Sequence, residues 1–175
     1  IVAAEHPARV RSLVSIMSTS GARGLPTAKS EAMAALRKPR PDARDREAAI
    51  QHGMYVYRAI GSPGFVTPEA ELRQKVERAF DRSYYPAGVG RQLAAIVANG
   101  SRVELLKRIT APTLVIHGAD DPLVPLAAGK DTAAHIKGAR FEIIPGMGHD
   151  LPTALLPRLV ESIAVHCQAV ELAHG

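Results

Sequence analysis

The apolar residues of this chain fall into two kinds of run, and the order of those runs sets the first expectation. Short apolar or β-branched runs occupy residues 12–17, 113–117 (between Pro112 and Gly118) and 140–144 (ahead of Pro145-Gly146). Each has the length and the flanking breakers of a buried strand rather than a helix. The stretch from 28 to about 100 contains no such run. It places apolar residues at helical intervals instead: Ile50, Met54, Tyr57 and Ile60, then Leu72, Val76 and Phe80, then Val89, Leu93, Ile96 and Val97, with Asn99-Gly100 as a helix stop. Pro86 suits the first turn of the third helix. Gly21, Gly24 and Pro26 mark a loop, and Gly61-Ser-Pro-Gly-Phe65 reads as a turn-rich hinge.

Three further helices complete the pattern. Residues 103–109 form a short amphipathic one, 126–136 cross back between the second and third strands, and 151–170 close the chain with Leu155, Leu159 and Ile163 on one stripe. A crossover of that length enforces parallel pairing. The expected fold class is therefore α/β, a parallel sheet of about three strands flanked by helices, with an all-helical insertion.

Candidate chemistry sits at two successive strand ends. After the strand at 113–117, Gly118 turns the chain and Asp121 follows three residues later, with Pro122 and Pro125 stiffening the loop. After the strand at 140–144, Pro145-Gly-Met-Gly148 is a tight turn that presents His149. A histidine so placed can be oriented by a carboxylate through one ring nitrogen and offer the other to a nucleophile's proton. Among seven histidines, His149 alone has turn glycines and a partner acid. His117 reads as a buried, hydrogen-bonded scaffold residue, and His6, His52, His135, His166 and His174 as solvent-facing or packed. Asp150, adjacent to His149, is expected to point away and cap a helix.

These motifs resemble those of the α/β-hydrolase family, whose members carry nucleophile, acid and histidine in that order. Gly118, Asp121, Val124 and Pro125 match its Gly-x-x-Asp-x-x-Val-Pro pattern, and Gly146, Gly148 and His149 match Gly-x-Gly-His. The resemblance selects Asp121 over Asp120 as the acid and leaves Asp120 a solvated or loop-bonding neighbour. No Gly-x-Ser-x-Gly elbow occurs in the chain. The opening Ile1-Val-Ala-Ala-Glu-His-Pro-Ala-Arg-Val10 resembles the helix that follows that elbow, so the resemblance implies that nucleophile and oxyanion-hole donors lie upstream and that this is the C-terminal portion of a hydrolase. Ser15, Ser18 and Ser20 lack a glycine-flanked turn and read as turn and capping residues rather than substitutes.

The resemblance also implies a domain plan: core at 1–27, a helical cap at 28–100 and core again at 101–175. Met54, Tyr57, Phe65 and Tyr84, together with Tyr55 and Tyr85, are the cap's candidate pocket liners, and Val124 and Met147 those of the core. Ser15-Ile-Met-Ser-Thr-Ser-Gly21, Tyr85-Pro-Ala-Gly-Val-Gly-Arg-Gln-Leu-Ala-Ala-Ile96 and Ile144-Pro-Gly-Met-Gly-His-Asp-Leu-Pro152 are similar to the branch containing aclacinomycin methylesterase. The expected activity is hydrolysis of a carboxylic ester of a hydrophobic small molecule, a methyl or other small ester on a bulky scaffold, by a Ser-Asp-His relay completed by the upstream half. Epoxide hydrolysis, dehalogenation, carbon–carbon hydrolysis and perhydrolysis remain open within the fold, as does an inert fragment or binding module.

Composition narrows this further. With 175 residues and 46% hydrophobic content the chain is large enough for its own core. There is no apolar stretch near membrane-spanning length and no basic-plus-apolar leader, which makes a cytoplasmic setting the expectation. Cys167 is the single cysteine and is expected to act as a small core hydrophobe. The absence of a Cys/His cluster leaves no metal or cofactor expected. Much of the net charge of +5 falls in residues 29–46, where Asp42, Asp45, Pro39 and Pro41 interrupt the basic run, Glu47 follows it and no aromatics interleave. That segment reads as a solvated connector, not a nucleic-acid surface.

Overall fold

The computed structural model describes residues 1–173. Three parallel strands, β1 (Leu13–Ile16), β2 (Thr113–Gly118) and β3 (Arg140–Ile144), lie in the order β1-β2-β3. Leu13 pairs with Thr113 and Ile16 with Ile116; Leu114 pairs with Arg140 and Gly118 with Ile144. This register brings the C-terminal ends of β2 and β3 level, so the loops that follow them emerge side by side. β2 is buried along its whole length, as befits a central strand whose residues are apolar on both faces. β1 is partly exposed throughout and pairs only with β2 among the described residues.

Helices clothe the sheet. α1 (Val2–Glu5) and α6 (Val103–Lys107) lie on one side, where Ala3, Ala4, Ile109, Ala111 and Ile136 form a small core. α8 (Leu156–Leu172), entered through a 3₁₀ turn at Thr153–Leu155, supplies Leu155 and Leu159 to the main core with Leu114, Ile116, Ile144 and Met147. α7 (Leu126–Ala134) makes the crossover from β2 to β3. It lies close to β2 because Gly129 has no side chain: a Cβ there would meet the His117 ring at 2.3 Å.

Between β1 and β2 the chain inserts α2 (Ser30–Arg37), α3 (Arg46–Ile60), α4 (Glu69–Arg82) and α5 (Pro86–Asn99). Ile50, Met54, Leu72 and Val76 form a separate core between α3 and α4. Asp45 caps α3 by accepting from the Ala48 N–H at 2.9 Å. Arg46–Asp81 and Arg73–Glu47 pairs tie α3 to α4, and the Arg73 guanidinium holds the Glu47 carboxyl down to about 2. These pairs are exposed and help register more than stability.

The structure corrects several expectations. Residues 29–46 are not only a connector: α2 forms there and buries Ala32 and Ala35 completely. Alanines carry little hydrophobic signal, and the flanking charges and prolines hide them. The closing helix begins at Leu156 rather than 151, because Pro152 precedes the 3₁₀ turn and Pro157 occupies its first turn. Cys167 is only partly buried; its neighbour His166 takes the inward position. Met54 is 1% exposed and Met147 0% exposed, so both pack in cores and present no surface to a substrate. α5 forms as expected, yet it buries none of its residues, and Leu93, Ile96 and Val97 stay exposed. His174 lies outside the described residues. Among the described residues no helix is long and apolar enough to cross a membrane.

Candidate active site

The loops after β2 and β3 are stitched together at the sheet's C-terminal edge. The Ala119 N–H donates to the Ile144 carbonyl at 3.0 Å and the Asp120 N–H to the Met147 carbonyl at 3.1 Å. Gly118 permits this approach, since a Cβ there would lie 2.2 Å from the Met147 carbonyl oxygen. Asp120 accepts from the Gly146 N–H at 2.8 Å, the loop-bonding role expected of it.

Asp121 points inward and its carboxylate is fully enclosed. Its Oδ1 accepts from the N–H groups of Leu123 and Val124 at 2.9 and 2.8 Å, which closes the loop into an Asx-type turn. Its Oδ2 receives the His149 Nδ1–H at 2.8 Å. A carboxylate can only accept, so this bond fixes the imidazole tautomer and leaves Nε2 as a proton acceptor. The His149 side chain is about one quarter exposed, at 24%. His117, completely buried, donates from Nε2 to the Val124 carbonyl at 2.8 Å and supports the loop from beneath. Val124 thus serves through its backbone.

The turn bearing His149 is clamped from its other side by the end of α3 and the residues that lead from it to α4. The His149 N–H donates to the Ile60 carbonyl at 2.8 Å and the Gly64 N–H to the Gly146 carbonyl at 2.9 Å. Ser62, buried, accepts from the Gly148 N–H at 2.9 Å and donates to Asp150 Oδ1 at 2.5 Å. Asp150 therefore secures this junction and does not cap a helix. The backbones touch: a Cβ on Gly64 would lie 2.7 Å from Gly146 Cα. Sequence reading marked Gly61 to Phe65 as a hinge but missed the role of Ser62, for which the paired glycines were the available hint. Ser62→Ala leaves the Gly148 N–H and the Asp150 carboxylate without this partner. A loss of about 1–3 kcal/mol is expected, read as a lowered Tm.

The remaining candidates separate clearly. Tyr57 lines a cleft of about 330 Å³ whose wall also includes Arg40, Gly53, Val56, Ile60 and His149. Tyr57 and Phe65 line a second cleft, of about 200 Å³, next to Asp150. Tyr84 borders clefts farther into the insertion and donates its hydroxyl to the Pro41 carbonyl at 2.8 Å. Tyr85 joins it on one of them, whereas Tyr55 is exposed beneath Lys38. Ser15 and Ser18 bond each other at 2.6 Å, and buried Ser20 donates to Asp131 at 2.5 Å while accepting from the Ala22 N–H. Their hydroxyls are engaged in turn structure. Among the described residues no group of three or more His, Cys, Asp or Glu is placed to hold a metal ion.

Comparison with known proteins bears on the fold. A family model described as alpha/beta hydrolase fold matches residues 1–152. A non-heme haloperoxidase of Rhodococcus erythropolis is 31% identical over 114 residues, covering 62% of this chain and 42% of that protein. The rhodomycin D methylesterase DnrP of Streptomyces peucetius is 39% identical over 69 residues, covering 39% of this chain and 23% of that protein. Among solved structures, a thermophilic esterase from Thermogutta terrifontis superposes with a TM-score of 0.65 at 20% identity, over 96% of this chain and 59% of that one, a likeness of fold. The chain thus spans less than two thirds of the length of each of these proteins. With three parallel strands carrying an acid and a histidine on adjacent tips, and a family match over most of its length, this chain belongs to the alpha/beta hydrolase fold family.

Proposed function

We propose that these residues form the acid–histidine half of a Ser-Asp-His relay in a carboxylic ester hydrolase, with the serine and oxyanion-hole donors supplied by sequence outside the 175 residues. The observation that carries this reading is the 2.8 Å bond from His149 Nδ1 to an enclosed Asp121 carboxylate whose other oxygen is held by two backbone N–H groups. The serine hydroxyl attacks the ester carbonyl and gives its proton to His149 Nε2. The imidazolium, stabilised by Asp121, passes that proton to the departing alkoxide. Water then attacks the acyl-enzyme, loses a proton to His149, and the serine is regenerated. The helical insertion acts as the cap over this site, and its Tyr57 shares the cleft with His149. The methylesterase relative supports an ester substrate. The haloperoxidase relative makes hydrogen peroxide the acceptor to test beside water.

A fluorophosphonate probe and p-nitrophenyl butyrate provide the test. The full-length polypeptide that carries these residues is expected to be labelled on one serine outside them and to lose turnover in His149→Ala. The 175-residue chain, which contains no Gly-x-Ser-x-Gly, is expected to be neither labelled nor active. Turnover by that chain that depends on His149 overturns the division of labour. A carboxylate nucleophile in the full-length polypeptide redirects the reading to epoxide or haloalkane chemistry.

A further inference from the structure

Three clefts in the helical insertion share walls. The cleft that includes His149 has Arg40, Gly53 and Tyr57 in common with a smaller one of about 140 Å³ that adds His52 and Tyr84. A third, of about 340 Å³, again has Arg40 and Tyr84 on its wall. Arg40 is thus common to all three, and no Asp or Glu lines any of them.

Arg40 and His52 are both left incomplete by the protein. Arg44, Arg46, Arg58 and Arg73 all have carboxylate partners, but Arg40, although partly buried, makes no ion pair or hydrogen bond among the described residues. His52 is 7% exposed, and its Nε2 is buried with no hydrogen-bond partner. Burial pushes the His52 imidazole below its usual range, and the charges of Arg40 and Lys38 add to that. An unpartnered buried nitrogen is costly, and so is a half-desolvated cation without a counterion. Both side chains line the cleft of about 140 Å³, and an oxyanion there answers the Arg40 guanidinium, which offers a carboxylate two parallel N–H donors.

The position is also prepared before any ligand arrives. Arg40 lies between Pro39 and Pro41, which confines its backbone to extended conformations. The Tyr84 hydroxyl bonds the Pro41 carbonyl and ties that segment to the end of α4. The backbone of Arg40 is thus held at the wall, a form of preorganisation that lowers the entropic cost of binding.

We propose that Arg40 forms a carboxylate-binding subsite in the insertion, on a cleft wall it shares with His52, so that the substrate is an ester carrying a carboxylate remote from its scissile carbonyl, such as a dicarboxylic acid hemi-ester. This rests on the ester-hydrolase reading. The reacting carbonyl lies by His149 and the acid arm extends through the shared Arg40–Tyr57 wall.

The test compares p-nitrophenyl butyrate with mono-p-nitrophenyl glutarate on the full-length polypeptide, wild type and Arg40→Gln, together with thermal protection by glutarate, acetate and the neutral amide butyramide. Wild type is expected to favour the hemi-ester in kcat/KM by about tenfold or more, and Arg40→Gln to lose that ratio. Arg40→Lys is expected to keep more of it than Arg40→Gln does. Glutarate should raise the wild-type Tm, and butyramide should not. Equal kcat/KM values for the two esters in wild type, or a ratio untouched in a folded Arg40→Gln, overturn the subsite while the esterase reading stands. If neither ester is turned over, the esterase reading falls and glutarate protection decides the anion site alone: protection lost in Arg40→Gln keeps it, and no protection overturns it. Acetate protecting as well as glutarate marks a site for free small anions and overturns its assignment to a substrate arm. If Arg40→Gln does not fold, the wild-type ratio decides.

Discussion

Asp121→Asn in the full-length polypeptide is expected to lower kcat by about 10⁴-fold, the size of loss seen when a serine-protease relay carboxylate becomes an amide. The substitution is nearly isosteric. The amide oxygen can still accept from the Leu123 and Val124 N–H groups, which are 2.9 and 2.8 Å from Oδ1, so the loop should keep its shape. What changes is the bond to His149. An amide nitrogen in place of Oδ2 donates to Nδ1 and drives the ring proton to Nε2, the atom that must accept from the nucleophile. Circular dichroism should match wild type while p-nitrophenyl butyrate turnover collapses. Asp120→Asn is the companion measurement. The Asp120 carboxylate bonds only the Gly146 N–H among the described residues, and an amide oxygen can replace that acceptor. Comparable turnover in the two variants would remove Asp121 from the relay.

Gly148→Ala is expected to cost about 3 kcal/mol or more, beyond an ordinary overpacking penalty. For a chain of this length that corresponds to a fall in Tm of about 6–12 °C. The reason is what the new methyl meets: the Gly61 carbonyl oxygen at 2.3 Å, the Gly61 carbonyl carbon at 2.5 Å and the Ile60 carbonyl oxygen at 2.8 Å. These are backbone atoms and cannot rotate aside. To make room the two segments must part, which also stretches the bonds from the Gly148 N–H to Ser62 and from the His149 N–H to Ile60. Gly90→Ala is the control. Nothing lies within 4 Å of a Cβ there, and it sits in α5, so better helix propensity should leave Tm unchanged or slightly raised. A Tm of Gly148→Ala within a degree or two of wild type would show that the junction is slack.

Much of the fold could be read from local pattern, because each strand is short, apolar and bounded by breakers. β3 matches its expected bounds, and β1 and β2 differ by a residue at their ends. The pairing of Asp121 with His149 was legible for a related reason. Each side chain follows a strand tip at a fixed interval, and parallel strands bring their tips level. What escaped notice depends on partners distant in sequence. Ser62 and Asp150 are 88 positions apart, and nothing local to either one points to the other. Met54 and Met147 lie where a pocket was expected, but neighbours from other elements bury them. Periodicity says which face of a helix is apolar, not whether anything covers it, so α5 was recognised while its exposure was not. Arg40 looked like one charge in a solvated run, and only packing reveals that it has no counterion among the described residues.

If the helical insertion were exchanged for another, the place of the splice would matter. The strip from Ile60 to Gly64 holds the turn of His149 through three backbone or hydroxyl contacts, so it belongs with the strand-tip loops rather than with the rest of the insertion. A donor lid spliced in after Phe65 inherits an intact imidazole. One that replaces the strip must bring its own carbonyl for His149 and its own hydroxyl for Gly148, or it will deliver a well-folded cover over a misaligned base.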